Sequence, residues 1–123
     1  MYSKEKLYET FGELLYAIAL ADGRIQDEEV SALKEMIKFH PLAQDILWSF
    51  NYEKSKETTV EAAYNKALDI FKHHGPAAEY KDFEEILARV AAACEGISPE
   101  EKSLIENFRK DLTTTFLNDS NIQ

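Results

Sequence analysis

The segment Ala21-Asp22-Gly23-Arg24-Ile25-Gln26-Asp27-Glu28-Glu29 joins two amphipathic stretches of the chain. A similar segment, one residue shorter, recurs near the C-terminus as Cys94-Glu95-Gly96-Ile97-Ser98-Pro99-Glu100-Glu101. In each copy an apolar stretch ends in an acidic residue and a glycine, and a pair of glutamates then opens the next helix. The repetition predicts two similar helical hairpins packed with rough pseudo-symmetry, with further helices completing a bundle.

Apolar residues recur at intervals of three and four throughout the chain, which is the helical period. No stretch alternates with period two, so the fold class is all-α. The pattern predicts a compact bundle of six to seven helices, the seventh being a short turn within residues 51–59. We predict a first helix from about Lys4 to Ala21, a second that ends near His40 and a third that Pro41 opens. The polar stretch from Glu53 to Thr59 is predicted as a connection, and a fourth helix then begins near Val60 and ends before Gly75. The fifth helix carries an apolar stripe from Phe83 to Cys94, and the sixth opens at Pro99 and carries a stripe from Leu104 to Leu112. Residues 1–117 form a single domain in this prediction, and 118–123 a frayed tail.

Composition limits the function classes. The 123 residues include 23 acidic and 14 basic side chains, for a net charge of -9. Such a charge disfavours nucleic acid, whose binding depends on Lys and Arg at phosphates. A single cysteine, Cys94, excludes an internal disulfide and favours a reducing, cytoplasmic location. The apolar run from Leu14 to Ala21 is far too short for a transmembrane segment.

The acidic turns have a structural explanation. The segment Ser98-Pro99-Glu100-Glu101 matches a capping box, in which Glu101 returns a hydrogen bond to the N-cap. Residues 27–29 place acidic groups at the positive end of the helix that they open.

The same turns also suggest a divalent metal site. Asp22-Gly23-Arg24-Ile25 with Glu29 matches the second half of a calcium-binding loop, although Ile18 and Leu20 replace the earlier ligands. A partial site forms if the two turns approach each other. Its candidate ligands for calcium, magnesium, manganese or zinc are Asp22, Glu28, Glu29, Glu95, Glu100 and Glu101.

The segment Ala19-Leu20-Ala21-Asp22-Gly23-Arg24-Ile25, its echo at Ala93-Cys94-Glu95-Gly96-Ile97 and the helical length resemble the TerB-like family of tellurite-resistance proteins. This resemblance implies a bacterial helical domain linked to stress from tellurite and other toxic agents. It also implies metal binding at the acidic residues and a peripheral role in membrane-associated complexes. The chain differs from the family at Glu95, where aspartate is more usual, and in the shortened second turn.

Trp48 falls on a different helical face from Ile46 and Phe50, which the pattern places in the core. It is either a contact residue for a protein partner or a side chain that a neighbouring helix covers. His73 and His74 are predicted to interact with the last carbonyls of their helix, and His40 is a similar case. The chain contains no nucleophile elbow, phosphate loop or zinc-protease motif.

We therefore predict a non-enzymatic binding module that acts through an acidic surface. The alternatives are a small carboxylate-based enzyme and a purely structural or assembly domain.

Overall fold

A computed structural model describes the backbone of residues 3–21, 23, 25, 27–75, 78–93 and 99–121, and most of their side chains. The described residues form helices and turns without any strand, which confirms the all-α prediction. The six helices are α1 (Lys4–Leu20), α2 (Asp27–Ile37), α3 (Ala43–Lys56), α4 (Val60–His74), α5 (Glu79–Ala93) and α6 (Pro99–Asn121).

Capping residues set several helix ends. The hydroxyl of Ser3 accepts a hydrogen bond from the Lys6 N–H at 3.1 Å and begins α1. Thr59 does the same for α4, with Ala62 as the donor at 3.2 Å. Gly75, with φ of 87°, ends α4 where the sequence predicts.

Helix α1 is the centre of the bundle. Every residue from Thr10 to Ala19 is buried, and the helix packs most extensively against α3 and α4. Gly12 allows this close packing, because a Cβ at that position would lie 2.2 Å from the Ile46 carbonyl oxygen of α3. The absence of a side chain at Gly12 therefore brings α1 and α3 together.

The core is aromatic where α1, α4, α5 and α6 meet. The rings of Phe11 and Phe83 stack at 4.4 Å with an interplanar angle of 7°. Phe71 packs against Phe83 at 5.5 Å and against Phe108 at 5.7 Å. Most apolar positions in the predicted helical stripes are buried or packed against this core: Leu7, Phe11, Leu14, Leu15, Ile18, Leu33, Ile37, Ile46, Phe50, Ala63, Ala67, Leu68, Phe71, Phe83, Ile86, Leu87, Ile105 and Phe108.

Several predicted helix boundaries differ from the structure. Helix α2 ends at Ile37 rather than His40, and α3 begins at Ala43 rather than Pro41. The His40 ring accepts the Leu42 backbone N–H, which holds the intervening residues in a turn. Helix α3 continues to Lys56 through residues that we predict as a connection, and it leaves no separate seventh helix there. Helix α6 continues through residues 118–121, beyond the predicted end of the domain.

The pseudo-repeated hairpins remain a prediction. Within the described part of the chain, α1 packs mainly against α3 and α4, whereas α2 packs against α5. Much of both acidic turns, including Cys94 and Gly96, lies outside the described residues.

Candidate functional site

The predicted metal ligands do not share one environment: some are exposed, one is buried, and others lie outside the described residues. Glu28 and Glu100 are exposed in the first turns of α2 and α6, whereas Glu101 is buried. Asp22, Glu95 and the side chain of Glu29 lie outside the described residues. Among the side chains that are described, no three His, Cys, Asp or Glu residues are grouped so that they could hold a metal ion.

Glu100 lines an open groove with a volume of about 460 Å³ at the start of α6. The groove also includes the end of α1 and the start of α4, through Ala21 and Val60. Its remaining lining residues are Pro99, Ser103, Leu104 and Asn107. Among the described residues that line this groove, Glu100 is the one ionisable side chain.

The most prominent surface feature is a stacked aromatic pair on α3. Trp48 is 60% exposed and Tyr52 is 37% exposed. Their ring centroids lie 5.3 Å apart with an interplanar angle of 11°. The ammonium of Lys56 lies 5.1 Å from the centroid of the Tyr52 ring. We call Trp48, Tyr52 and Lys56, which follow one another at helical spacing, the α3 aromatic face.

No helix in the described part of the chain covers the Trp48 ring, whereas its role as a contact for a protein partner stays a prediction. Phe39, which follows α2, is 90% exposed, and the Lys38 ammonium lies 5.2 Å from its ring centroid. The exposed large hydrophobic residues in the described part of the chain are Phe39, Trp48 and Tyr52.

A buried acidic cluster lies where α1, α3 and α4 pack together. The side chains of Glu13 and Glu53 are 7% and 3% exposed, respectively. The Lys66 ammonium lies 3.4 Å from Glu13 Oε1 and 3.3 Å from Glu53 Oε1, so a single cation serves both acids. Within the described part of the chain, Glu13 Oε2 is buried without a hydrogen-bond partner.

Burial dominates the electrostatics of this cluster. It raises the pKa of Glu13, and the neighbouring Lys66 opposes that effect without cancelling it. Charge from Glu53 adds to the increase. Glu13 therefore holds its proton to a higher pH than an exposed glutamate does. Glu13 lies off the apolar stripe of α1 and is nevertheless buried, because every residue of this helix from Thr10 to Ala19 is buried.

A second polar cluster joins α1, α5 and the turn before α3. The Tyr8 hydroxyl donates to Asp82 Oδ2 at 2.6 Å, and His40 Nε2 lies 2.8 Å from the same oxygen. The Leu42 N–H donates to His40 Nδ1 at 3.0 Å. Because Nδ1 accepts this bond, the proton of neutral His40 lies on Nε2, which donates to Asp82.

Burial by itself would raise the pKa of Asp82. The hydrogen bonds from Tyr8 and His40 outweigh it, and nearby charge from Arg89 assists them, so the pKa of Asp82 is lowered overall. Burial, together with the bond to Asp82, keeps the Tyr8 hydroxyl protonated by raising its pKa. The cluster therefore combines an ionised carboxylate with two neutral donors.

Both ring nitrogens of His40 have hydrogen-bond partners in this cluster, which bears on proton transfer. A general base needs a free nitrogen, and both ring nitrogens of His40 are engaged. The Leu42 amide occupies the position from which a nucleophile would be activated. The His40 contacts also differ from the predicted interaction with helix-terminal carbonyls.

Sequence reasoning missed both clusters, for different reasons. Helix α1 is apolar on nearly all sides around Glu13, a pattern typical of a fully buried helix. That pattern could have identified the acid as buried. Asp82 and His40 are separated by a long stretch of chain, and no local motif connects them.

Comparisons with known proteins give no relative from which a function could be transferred: no protein-family model, curated protein or solved structure matches this chain. Within the residues described, no helix has the length and apolar character needed to cross a membrane.

Proposed function

We propose that this chain is a non-enzymatic binding module whose protein partner packs on the α3 aromatic face. The observation that supports this proposal is the stacked, exposed pair of Trp48 and Tyr52. Burying a large, exposed aromatic ring against the apolar surface of a partner is favourable, because it removes apolar surface from water. The same pair contributes little to the core of its own domain.

The energetics of the pair suit an interface. Trp and Tyr are enriched among the residues that dominate binding energy, and truncating one at an interface commonly costs roughly 2 kcal/mol or more. Stacking at 5.3 Å holds both rings in one orientation before the partner arrives. Less side-chain entropy is therefore lost on binding.

Charge defines the kind of partner. The net charge of -9 attracts a positively charged protein at long range and repels an acidic one. Close to the pair, the Lys56 ammonium lies over Tyr52 and provides a donor at the edge of the face. We therefore propose a basic protein that inserts an apolar side chain beside Trp48 and places an acceptor near Lys56.

The TerB-like assignment and the divalent metal remain part of the proposal, supported by the acidic turn sequences. The proposal also includes a cytoplasmic location, a role in bacterial stress and peripheral association with a membrane complex. Calorimetric titration with calcium, magnesium, manganese and zinc tests the metal. Saturable binding that disappears in Asp22→Asn combined with Glu29→Gln would support it, and equal heats from both proteins would reject it.

Photo-crosslinking in cells tests the partner directly. A benzoylphenylalanine replacing Asn51 lies beside both aromatic residues on the exposed side of α3. We expect a discrete adduct with a basic protein, identified by mass spectrometry. The adduct should disappear when Trp48→Ala and Tyr52→Ala are added, because the apolar contact is then removed.

The same photoreactive residue replacing Asp69, which is exposed on α4, serves as the matched control. An adduct formed equally at both positions, or one that survives loss of both rings, would contradict the proposal. Absence of any adduct at position 51 would contradict it as well.

A further inference from the structure

The Tyr8–His40–Asp82 cluster lies at an open groove of about 320 Å³ between the start of α1, the turn before α3 and the start of α5. Its remaining lining residues are Lys4, Pro41, Leu42, Ala78 and Glu79. We infer that this groove binds an alkyl cation, an ammonium or guanidinium group carried on a short aliphatic chain.

Asp82 supplies the main recognition group. Its Oδ2 already accepts from Tyr8 and His40, which fixes the orientation of the carboxylate. No described residue donates to Oδ1, so this oxygen is free to accept from a ligand. The carboxylate is ionised at neutral pH, and the two donors hold its pKa below the ordinary value of 3.8. A charged donor is the partner with which such an oxygen forms its strongest hydrogen bond.

The groove carries an excess of negative charge. Glu79 and Asp82 contribute two carboxylates, Lys4 contributes one ammonium, and His40 is neutral in its hydrogen-bonded form. Arg89 acts on Asp82 through its charge from outside the lining, and no lysine or arginine of the described chain lies within 4.0 Å of either carboxylate. A single cationic ligand would therefore balance the lining, whereas an anion would meet two like charges.

The rest of the lining accounts for the aliphatic part of the ligand. Pro41, Leu42 and Ala78 place apolar groups in the same groove as the carboxylates. The volume of about 320 Å³ lies at the lower end of the range for small-molecule sites. A chain of a few methylene groups with one charged end fits this combination of apolar wall and acidic end.

This chemistry has two sources, a free amine or guanidine and a lysine or arginine side chain of another protein. The inference does not rest on the α3 aromatic face, since no residue of that face lines the groove. Binding of a small cation can therefore succeed or fail independently of the protein partner.

The test is titration of butylguanidinium and butylammonium into the isotope-labelled protein, followed through the His40 ring signals by NMR. Neutral butylurea is the matched control ligand. We expect saturable binding of both cations and at least tenfold weaker binding of butylurea, roughly the effect of losing one charged hydrogen bond. Equal binding of butylurea would overturn the inference.

Three variants assign the site. Asp82→Asn should weaken butylguanidinium binding about tenfold, because its amide still accepts from Tyr8 and His40 but carries no charge. Glu79→Gln removes a carboxylate that makes no bond within the cluster, so it tests the charge even if the first variant unfolds. We expect roughly threefold weaker binding from this second change. Lys4→Ala should strengthen binding by a similar factor because it removes a like charge.

A blocked tripeptide, acetyl-Ala-Arg-Ala-amide, separates the two sources. Tighter binding of the peptide than of butylguanidinium identifies a protein side chain as the ligand, and the reverse identifies a free small cation. Either result supports the groove as a cation site when it depends on residues 79 and 82. The inference is wrong if neither probe saturates, or if all three variants bind like the unmodified protein.

Discussion

Helix α1 contributes to one polar cluster near its start and to another at its middle, and the two clusters accommodate an acid in opposite ways. At Tyr8, neutral donors surround the Asp82 carboxylate, which keeps its charge and faces an open groove. At Glu13, two buried carboxylates share the Lys66 ammonium, and one carboxylate oxygen has no partner. Directed neutral donors thus lower the pKa of one acid, while a single shared cation fails to prevent burial from raising the pKa of the other.

The largest effect is expected from Gly12→Ala, which separates α1 from α3 beside the buried cluster. The new Cβ would lie 2.2 Å from a backbone carbonyl oxygen that cannot move cheaply. We expect a loss of roughly 3 kcal/mol or more in the free energy of unfolding, measured by urea denaturation. Gly23→Ala is the control, because a Cβ there meets no atom within 4 Å and its φ of 105° costs only about 1 to 2 kcal/mol. Equal losses would show that the close approach is unimportant.

Lys66→Met tests whether the shared ammonium is what holds the two buried acids. The methionine preserves the aliphatic stem but leaves Glu13 and Glu53 unpaired. We expect a loss of about 2 kcal/mol at neutral pH, smaller than for a fully buried pair because the lysine is half exposed. The loss should shrink at acid pH as the carboxylates become protonated. Lys72→Met, at an exposed position of α4, should have little effect.

Tyr8→Phe removes one hydrogen-bond donor from the Tyr8–His40–Asp82 cluster. Asp82 keeps its bond from His40, so we expect a loss of only about 1 kcal/mol. The pKa of Asp82 should rise, because the Tyr8 hydrogen bond is one of the causes that lower it. A depressed carboxylate pKa stabilises the fold above the unfolded value and loses that effect as pH falls, so acid sensitivity should decrease. An unchanged carboxyl titration by carbon NMR would show that Tyr8 does not tune Asp82.

Glu13→Gln should give the smallest change in the free energy of unfolding, and this change should be stabilising. Burial raises the pKa of Glu13, so its contribution to stability is complete below its ordinary pKa of 4.5 and declines as pH rises through the folded value. Glutamine cannot ionise and keeps the stability of the protonated form. We expect a gain of up to about 1 kcal/mol at neutral pH that vanishes at acid pH, measured by urea denaturation. Glu9→Gln, one turn earlier, is the control; a pH-independent gain in Glu13→Gln would reject the explanation.

The sequence predicts the fold better than the sites. Periodic apolar residues such as Phe11, Phe71 and Phe83 identify helices and core together, because burial imposes the helical period on each segment. Boundaries are less predictable: the polar stretch predicted as a connection from Glu53 to Thr59 begins inside α3, where residues 54–56 lie on the exposed side of the continuing helix. Glu53 points inward within that stretch, and its burial depends on Lys66 from another helix.

The two polar clusters could not be predicted from the sequence, because residues from distant parts of the chain form each of them. Tyr8, His40 and Asp82 come from three separate segments, and none of the three stands out locally. Trp48 is the exception among candidate residues. Its position off the apolar stripe follows from 100° per residue along one helix, so its exposure could be anticipated as one of two outcomes.

The position of Trp48 also makes the protein a spectroscopic reporter of its own surface. Trp48 is the only tryptophan in the chain, and its indole lies in contact with water and with Tyr52 rather than in the core. Its fluorescence should already be red-shifted in the folded protein and change little when the core melts. A blue shift at constant helix content would instead signal that another molecule has covered α3.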